Sequence, residues 1–313
     1  MMIDAMPDAL AADTSHRTDG GDRLTRFLLP DAGVRGVRVH LDDTWRQIRS
    51  RAEYPDGIAR LLGEATAAAA LFTGHAKVDG RLSVQLRGQG ALRTLFAECT
   101  AAGTLRGIAQ FDEDAPPPTG LTDLGAGPVL AITIENPAPH GRDPQRYQGL
   151  VPLEGPDLRS AFEHYFVQSE QLPTRLLLAA DGERAAGLML QKLPGDAGDA
   201  DGWTRAGALF DTLSAQELLD LPAETLLHRL FHEESPELLA DRTLQFGCSC
   251  SRGRVEAMLR SLGREEAEAA VADGAARVRC EFCGQRYEFT GPEVEELFAP
   301  PPSAPLPAPE RMQ

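Results

Sequence analysis

The chain of 313 residues is poor in aromatic residues, at 6%, and in basic charge, with 31 Lys and Arg against 47 Asp and Glu. The resulting net charge of −16 argues against a general nucleic-acid or anionic-membrane binder, because phosphate contact rests on clustered cations. No apolar run is long: "AAAALF" at 67–72 is far short of the roughly 20 residues that cross a bilayer. The stretch 1–22 has neither a basic start nor an apolar segment, so it reads as a polar, disordered tail rather than a secretory signal. These absences point to a cytoplasmic protein without membrane partners. Thiols stay reduced there, so paired cysteines serve as metal ligands or redox groups rather than as permanent disulfides. No internal repeat is present, and enzyme chemistry has little to stand on. Gly88-Gln89-Gly90 lacks the third glycine and the helix of a dinucleotide loop and reads as a turn. His164, His228 and His232 fall on predicted helices without a partner set and read as structural or surface residues.

What is present suits a folded core, with 42% hydrophobic and 25% charged residues. The length exceeds what one core usually serves and implies more than one domain. From Arg23, "LTRFLLPDAGVRGVRVHLDDTW" reads as strands broken by a turn. "PDGIARLLGEATAAAALFTG" reads as a helix with Ile58, Leu61, Leu62, Ala65, Ala69 and Phe72 on one face and a stop at Gly74. "GRLSVQLRG", "TLRGIAQF", "GPVLAITIE" and "RYQGLVPLE" are strand-like and imply one or two antiparallel sheets. "DLRSAFEHYFVQSEQL" places Leu158, Ala161, Phe162, Tyr165 and Phe166 on one side of a second helix, before a strand pair that closes the domain near Pro194. The class is therefore α+β, with an N-terminal antiparallel-sheet domain and packed helices over 23–194.

The block "GDAGDADG" at 195–202 is too polar and glycine-rich to support a core, and opens a flexible and helical linker over 195–247. In "TLSAQELLDLPAETLLHRLFHEES", Ser214 and Glu217 stand in capping-box register and Pro222 restarts the helix. Its apolar face, with Leu218, Leu219, Leu226, Leu227, Leu230 and Phe231, needs a surface to rest on, for which the N-terminal domain is the candidate.

Four of the five cysteines form two tight pairs, Cys248 and Cys250 in "FGCSCSRGR", then Cys280 and Cys283 in "RCEFCGQRYEF". Three answers compete: a structural metal, a dithiol catalyst and a redox switch. Four thiolates are the number a closed tetrahedral zinc site needs, and two pairs from distant positions are how small zinc modules clamp themselves. A thioredoxin-like dithiol would sit at a helix N-terminus, whereas strand-like residues flank this CxxC. A helix "RVEAMLRSLG" with Val255, Met258, Leu259 and Leu262 in register, a short "REEAEAAVADG" helix, a hairpin and a final helix capped by Thr290 and Glu293 complete a module over 248–298. A module this small draws much of its folding free energy from a metal. Arg252, Arg254, Arg279 and Arg286 lie near the thiols, either to favour anionic sulfur or as ordinary solvated charges. Near-neighbour disulfides would close tiny loops and remove the long-range clamp, but the spacing does not fix connectivity, since four cysteines allow three pairings. Cys99 stands alone and reads as core. A Pro-rich extended tail follows over 299–313.

C-x-C followed after 29 residues by C-x-x-C, with "RYQGLVPLEG", "YFVQSEQLPTRL", "AAGLMLQ" and "LFHEE" upstream, resembles the bacterial 33-kDa heat-shock protein family of redox-regulated holdase chaperones. The resemblance spans nearly all of 23–298, and the departures are the two tails and the Gly/Asp block. It implies an ATP-independent chaperone rather than an enzyme, kept inactive while reduced by one Zn2+ on Cys248, Cys250, Cys280 and Cys283. On oxidation the redox-active pairs are taken as Cys248–Cys250 and Cys280–Cys283. Zinc is lost, the linker unfolds, and Leu218, Leu226, Leu230 and Phe231 are the expected client-binding residues. The expected partners are unfolding proteins and, when oxidised, a second copy. The alternative is a zinc-ribbon module for nucleic-acid or protein docking. Against nucleic acid, residues 211–298 carry 18 acidic side chains and nine arginines.

Overall fold

A computed structural model describes residues 21–299 apart from 117, 119, 139–143, 154, 196 and 272–273. The N-terminal tail but for its last two residues, and the Pro-rich tail but for its first, lie outside the described residues. The chain divides into two compact units. The first runs up to Arg49 and from Tyr54 to Phe246; the second holds Ser50–Glu53 and the residues from Gly247 on.

In chain order the first unit contains β1 (Arg23–Leu29), β2 (Val34–Leu41), α1 (Asp43–Arg49), α2 (Asp56–His75), β3 (Arg81–Arg87), β4 (Leu92–Thr100) and β5 (Thr104–Phe111). Then come β6 (Val129–Asn136), β7 (Gln145–Val151), α3 (Leu158–Ser169), β8 (Thr174–Ala180) and β9 (Ala185–Lys192). Three short helices follow, α4 (Gly202–Phe210), α5 (Ala215–Asp220) and α6 (Ala223–Phe231), then β10 (Glu237–Thr243) and β11 (Gln245–Phe246). One sheet has the order β10-β1-β2-β9-β8 and is antiparallel throughout. The other has the order β11-β5-β4-β3-β6-β7, antiparallel except for β11, which runs parallel to β5.

Helix α2 packs against strands of both sheets, which explains its alanines. The sequence predicts one apolar face, but Ala59, Ala67, Ala68, Ala70 and Leu71 are buried as well as the expected residues, because sheet lies on either side and only a thin helix fits. Gly74 does not end the helix, which continues to His75 and is closed by the Ala76 N–H on Phe72. Gly74 instead admits Leu24, whose Cδ1 lies 2.7 Å from where a Cβ would stand. The end of the first predicted strand region is also helical. Thr44, Trp45 and Ile48 are buried in α1, and Asp22 accepts a hydrogen bond from the Thr44 N–H at 2.8 Å. Helix α3 buries all five residues assigned to its inner face, with Phe162 and Phe166 set edge-on to Phe72 at 4.9 and 5.1 Å.

The two sheets differ in how many faces they bury. In the second, alternation is simple: Leu82, Val84 and Leu86 of β3 point to α2, while Arg81 on the other side meets Glu98 and Glu135. In the first, Val37, Val39, Leu41 and Met189 face α2, and Phe27, Leu29, Val34, Leu188 and Leu190 form a second apolar face. That second face is covered by α4, α5 and α6 through Phe210, Leu213, Leu218, Leu219, Leu226, Leu227, Leu230 and Phe231. The connection before α4 follows the β1–β2 turn, where the Asp199 N–H donates to Asp31 O at 2.7 Å. Gly33 and Gly198, both with positive φ, allow this close backbone approach. The capping box of Ser214 and Glu217 is present, and Pro222 sits at the N-cap of α6. The sequence reading missed α4 and both β10 and β11. Strand β10 is exposed along nearly its whole length, so it carries no alternating apolar signal.

Burial pushes the Glu64 carboxyl of α2 up to about 7, with Asp157 adding to the shift and Arg60 opposing it. The folded state therefore binds this proton more tightly than the unfolded chain, so its contribution to stability falls as pH rises from the ordinary carboxylate range through about 7. Glu64→Gln is expected to stabilise the protein by about 1–3 kcal/mol at alkaline pH and to change little in acid. Urea unfolding at both pH values checks this, and a difference that does not grow with pH contradicts it.

Candidate metal centre

The second unit contains α7 (Arg252–Leu262), α8 (Arg264–Ala269), β12 (Ala275–Arg279), β13 (Arg286–Thr290) and α9 (Gly291–Leu297). Its strands pair from Ala275 opposite Thr290 to Arg279 opposite Arg286, so "CEFCGQ" is the hairpin loop. The Cys280 N–H donates to Gln285 O and the Gly284 N–H to Cys280 O, each at 2.8 Å, and Gly284 takes the positive φ of 74° that this turn requires. These bonds fix the positions from which Cys280 and Cys283 present sulfur. Cys248 and Cys250 come from the segment just before α7, whose first turn is capped by Ser251 on the Arg254 N–H.

All four Sγ atoms lie within 4.8 Å of one another. The Cys248 and Cys280 sulfurs are 3.7 Å apart and those of Cys250 and Cys283 are 3.3 Å apart, so these short contacts cross between the two sequence pairs. The four cysteines are free thiols, and these separations are far above the ~2.05 Å of a disulfide. They resemble the edges of a tetrahedron built on metal–sulfur bonds of about 2.3 Å, which are about 3.8 Å long. Burial, with crowding by the other three sulfurs, pushes the Cys283 thiol up to about 12. A divalent cation reverses that balance by compensating the thiolate charge, so the donor set fits a soft divalent metal and fits poorly with bare anionic sulfur.

Tyr287 of β13 donates its hydroxyl to Cys250 Sγ at 3.1 Å, and this bond, with partial burial, pushes the phenol up to about 12. Sequence reasoning missed this residue; its place four residues after Cys283, on the strand leaving the knuckle, is the only signal it offers. Arg252 is not directed at the sulfurs. Its guanidinium covers the Phe289 ring at 4.1 Å and bonds Glu293 at 2.7 Å and Glu288 O at 2.9 Å. Arg254, Arg279 and Arg286 are exposed. The capping box of Thr290 and Glu293 forms as expected. In α7 only Val255 and Leu259 are buried, whereas Met258 and Leu262 are exposed, because this unit has little core to offer them. Its buried apolar cluster is Val255, Leu259, Ala267, Ala276, Phe289 and Val294.

The other candidate residues fall elsewhere. Leu218, Leu226, Leu230 and Phe231 are buried against the first sheet, with Phe231 stacked on Phe27 at 6.1 Å. Cys99 is fully buried in β4. Gly88 and Gly90 belong to a turn in which the Gln89 and Gly90 N–H groups donate to Leu124 O. His228 and His232 stack on one another at the exposed side of α6. Among the described residues no helix is long and apolar enough to cross a membrane.

A family profile described as Hsp33 protein matches residues 22–290. The chain is 44% identical to a 33 kDa chaperonin of Ectopseudomonas mendocina, over 89% of this chain and 95% of the relative. It is 42% identical to a 33 kDa chaperonin of Nitrosococcus oceani, over 91% of this chain and 97% of that protein. The fold is similar to the crystal structure of the 33 kDa chaperonin from Thermotoga maritima, with a TM-score of 0.71 at 21% identity, covering 88% of this chain and 97% of that one.

Burial pushes the Cys99 thiol up to about 11, so near pH 8 only about one molecule in a thousand carries a thiolate there. Iodoacetamide is expected to leave Cys99 unmodified in the folded chain and to alkylate it in denaturant, as read by mass spectrometry of the peptide. Prompt labelling of the native protein contradicts the burial.

Proposed function

The chain belongs to the Hsp33 protein family, and on that premise we propose that it is a redox-regulated holdase working in the cytoplasm without ATP. In the reduced state Cys248, Cys250, Cys280 and Cys283 hold one Zn2+ as tetrahedral thiolates. That bond set supplies the folding free energy that the small core of the second unit lacks; structural zinc contributes on the order of 10–16 kcal/mol in small peptides. Hypochlorous acid is one suitable oxidant. Two thiolates lose two electrons and join as a disulfide, and the oxidant leaves as chloride and hydroxide. The reading takes Cys248–Cys250 and Cys280–Cys283 as the pairs formed. Each disulfide removes two donors, so the metal is no longer retained and the second unit loses its main support.

The observation that carries this reading is the state of the linker. Leu218, Leu226, Leu230 and Phe231 are buried against the first sheet, on a chain segment that reaches Cys248 directly through β10 and β11. Strand β10 is an exposed edge strand and β11 has two residues, so both are weakly held. Unfolding that starts at the cysteines works back through them to the linker helices, whose short lengths leave them marginal without tertiary support. Release uncovers two apolar surfaces, that of the linker and that of the sheet. Each binds unfolding proteins with about 25 cal/mol per Å2 removed from water. The same exposed surface supports self-association, so the oxidised form is a homodimer.

The test is the full chain purified under reducing conditions. One zinc per chain is expected by elemental analysis, with no suppression of client aggregation. Hypochlorite, or peroxide with heat, is expected to free the zinc and switch suppression on. Cys280→Ser with Cys283→Ser is expected to abolish stoichiometric zinc, whereas Cys99→Ser should switch as the wild type does. A reduced chain without zinc, or an oxidised, zinc-free chain that holds no clients, overturns the proposal.

A further inference from the structure

Helix α5 has six residues, too few to persist alone, and its two ends are held differently. The N-terminus is closed locally by the capping box. At the C-terminus, backbone carbonyls are taken by side chains of β2 and of the β8–β9 turn. His40 Nε2 lies 2.9 Å from Leu219 O, Arg184 Nη1 lies 3.2 Å from the same oxygen, and Arg38 Nη2 donates to Leu221 O. Arg184 also pairs with Asp220 at 2.8 Å. These contacts bridge sequence separations of 35 to 183 residues.

The donors are unusual in their setting. Arg38 and His40 alternate on β2 with Val37, Val39 and Leu41, so they point to the linker side of the sheet, and they are 3% and 7% exposed. Polar groups buried in an apolar face cost free energy unless they are hydrogen-bonded, and the linker carbonyls are the partners here. A carbonyl acceptor requires the proton on Nε2, which leaves Nδ1 toward Asp42 Oδ2 at 3.8 Å. A cavity of about 70 Å3 lined by Arg38, His40, Ala223, Glu224 and Leu238 adjoins the bonds and is roomy enough for water to compete for them.

We propose that Arg38, His40 and Arg184 are positioning residues that form a carbonyl latch, holding α5 and with it the linker on the first sheet, so that they set how readily the linker is released. This rests on the reading of the linker as the element released on activation. The latch grips backbone oxygen at Leu219 and Leu221, and only the Arg184–Asp220 pair depends on a linker side chain. It lies far along the chain from the cysteines, so it tunes release without altering the metal ligands.

The experiment uses the full chain, reduced and zinc-loaded, with His40→Leu and Arg184→Met together. Hydrogen exchange by mass spectrometry is expected to show residues 214–231 exchanging about tenfold faster or more. Residues 81–136 of the second sheet and the zinc content are expected to stay unchanged. His40→Gln, which keeps an N–H donor, is expected to restore most of the protection in place of His40→Leu. Unchanged exchange over 214–231 overturns the latch, as does equal protection with Gln and Leu. If the double variant also loosens the second sheet, Arg184→Met alone decides by the same measure, since that side chain is 29% exposed and outside the core. Aggregation of a client is measured alongside. After hypochlorite oxidation, a zinc-free variant whose linker exchanges freely yet holds no clients would leave the latch standing and overturn the holdase reading.

Discussion

A sheet with two apolar faces must be covered twice, and the first unit is organised around that constraint. Val37, Val39 and Leu41 on one side of β2 are met by α2, while Phe27, Val34, Leu188 and Leu190 on the other side are met by α4, α5 and α6. The second sheet has no such need, since its outer side carries Arg81, Arg106, Glu98 and Glu135 in ion pairs with one another. The linker helices thus cover one sheet only. Removing them leaves α2 and its two flanking layers with a buried core of their own. The core around α2 and the core under the linker helices are two separate buried clusters.

The second unit meets the opposite constraint, too little apolar surface rather than too much. A buried cluster of six residues cannot offset the conformational entropy of ordering about fifty, and Met258 and Leu262 stay exposed, at 38% and 47%. Four sulfurs within 4.8 Å of one another make good the deficit when a cation holds them, and they repel one another as thiolates when none does. The hydrogen bond from Tyr287 steadies one of the four.

Much of this was legible in the sequence, for identifiable reasons. The paired cysteines, the alternation of Leu82, Val84 and Leu86, the five buried positions of α3 and the capping boxes at Ser214 and Thr290 are local patterns that survive folding intact. What misled was local as well. Gly74 has the look of a helix stop and serves as a packing gap for Leu24, and Arg252 stands two residues from Cys250 yet covers Phe289. Strand β10 was invisible because an exposed edge strand needs no apolar alternation, only a neighbour to bond.

The sequence by itself determined the cysteine spacing, and hence the chemistry available at the C-terminal end, and the apolar faces of α3 and the linker, because residue type and period are properties of the chain. Only the tertiary structure decided what the linker face rests on, and that Arg38, His40 and Arg184 reach the carbonyls at the end of α5. Partners of that kind are backbone atoms up to 183 residues away, and backbone carbonyls leave no mark in the sequence.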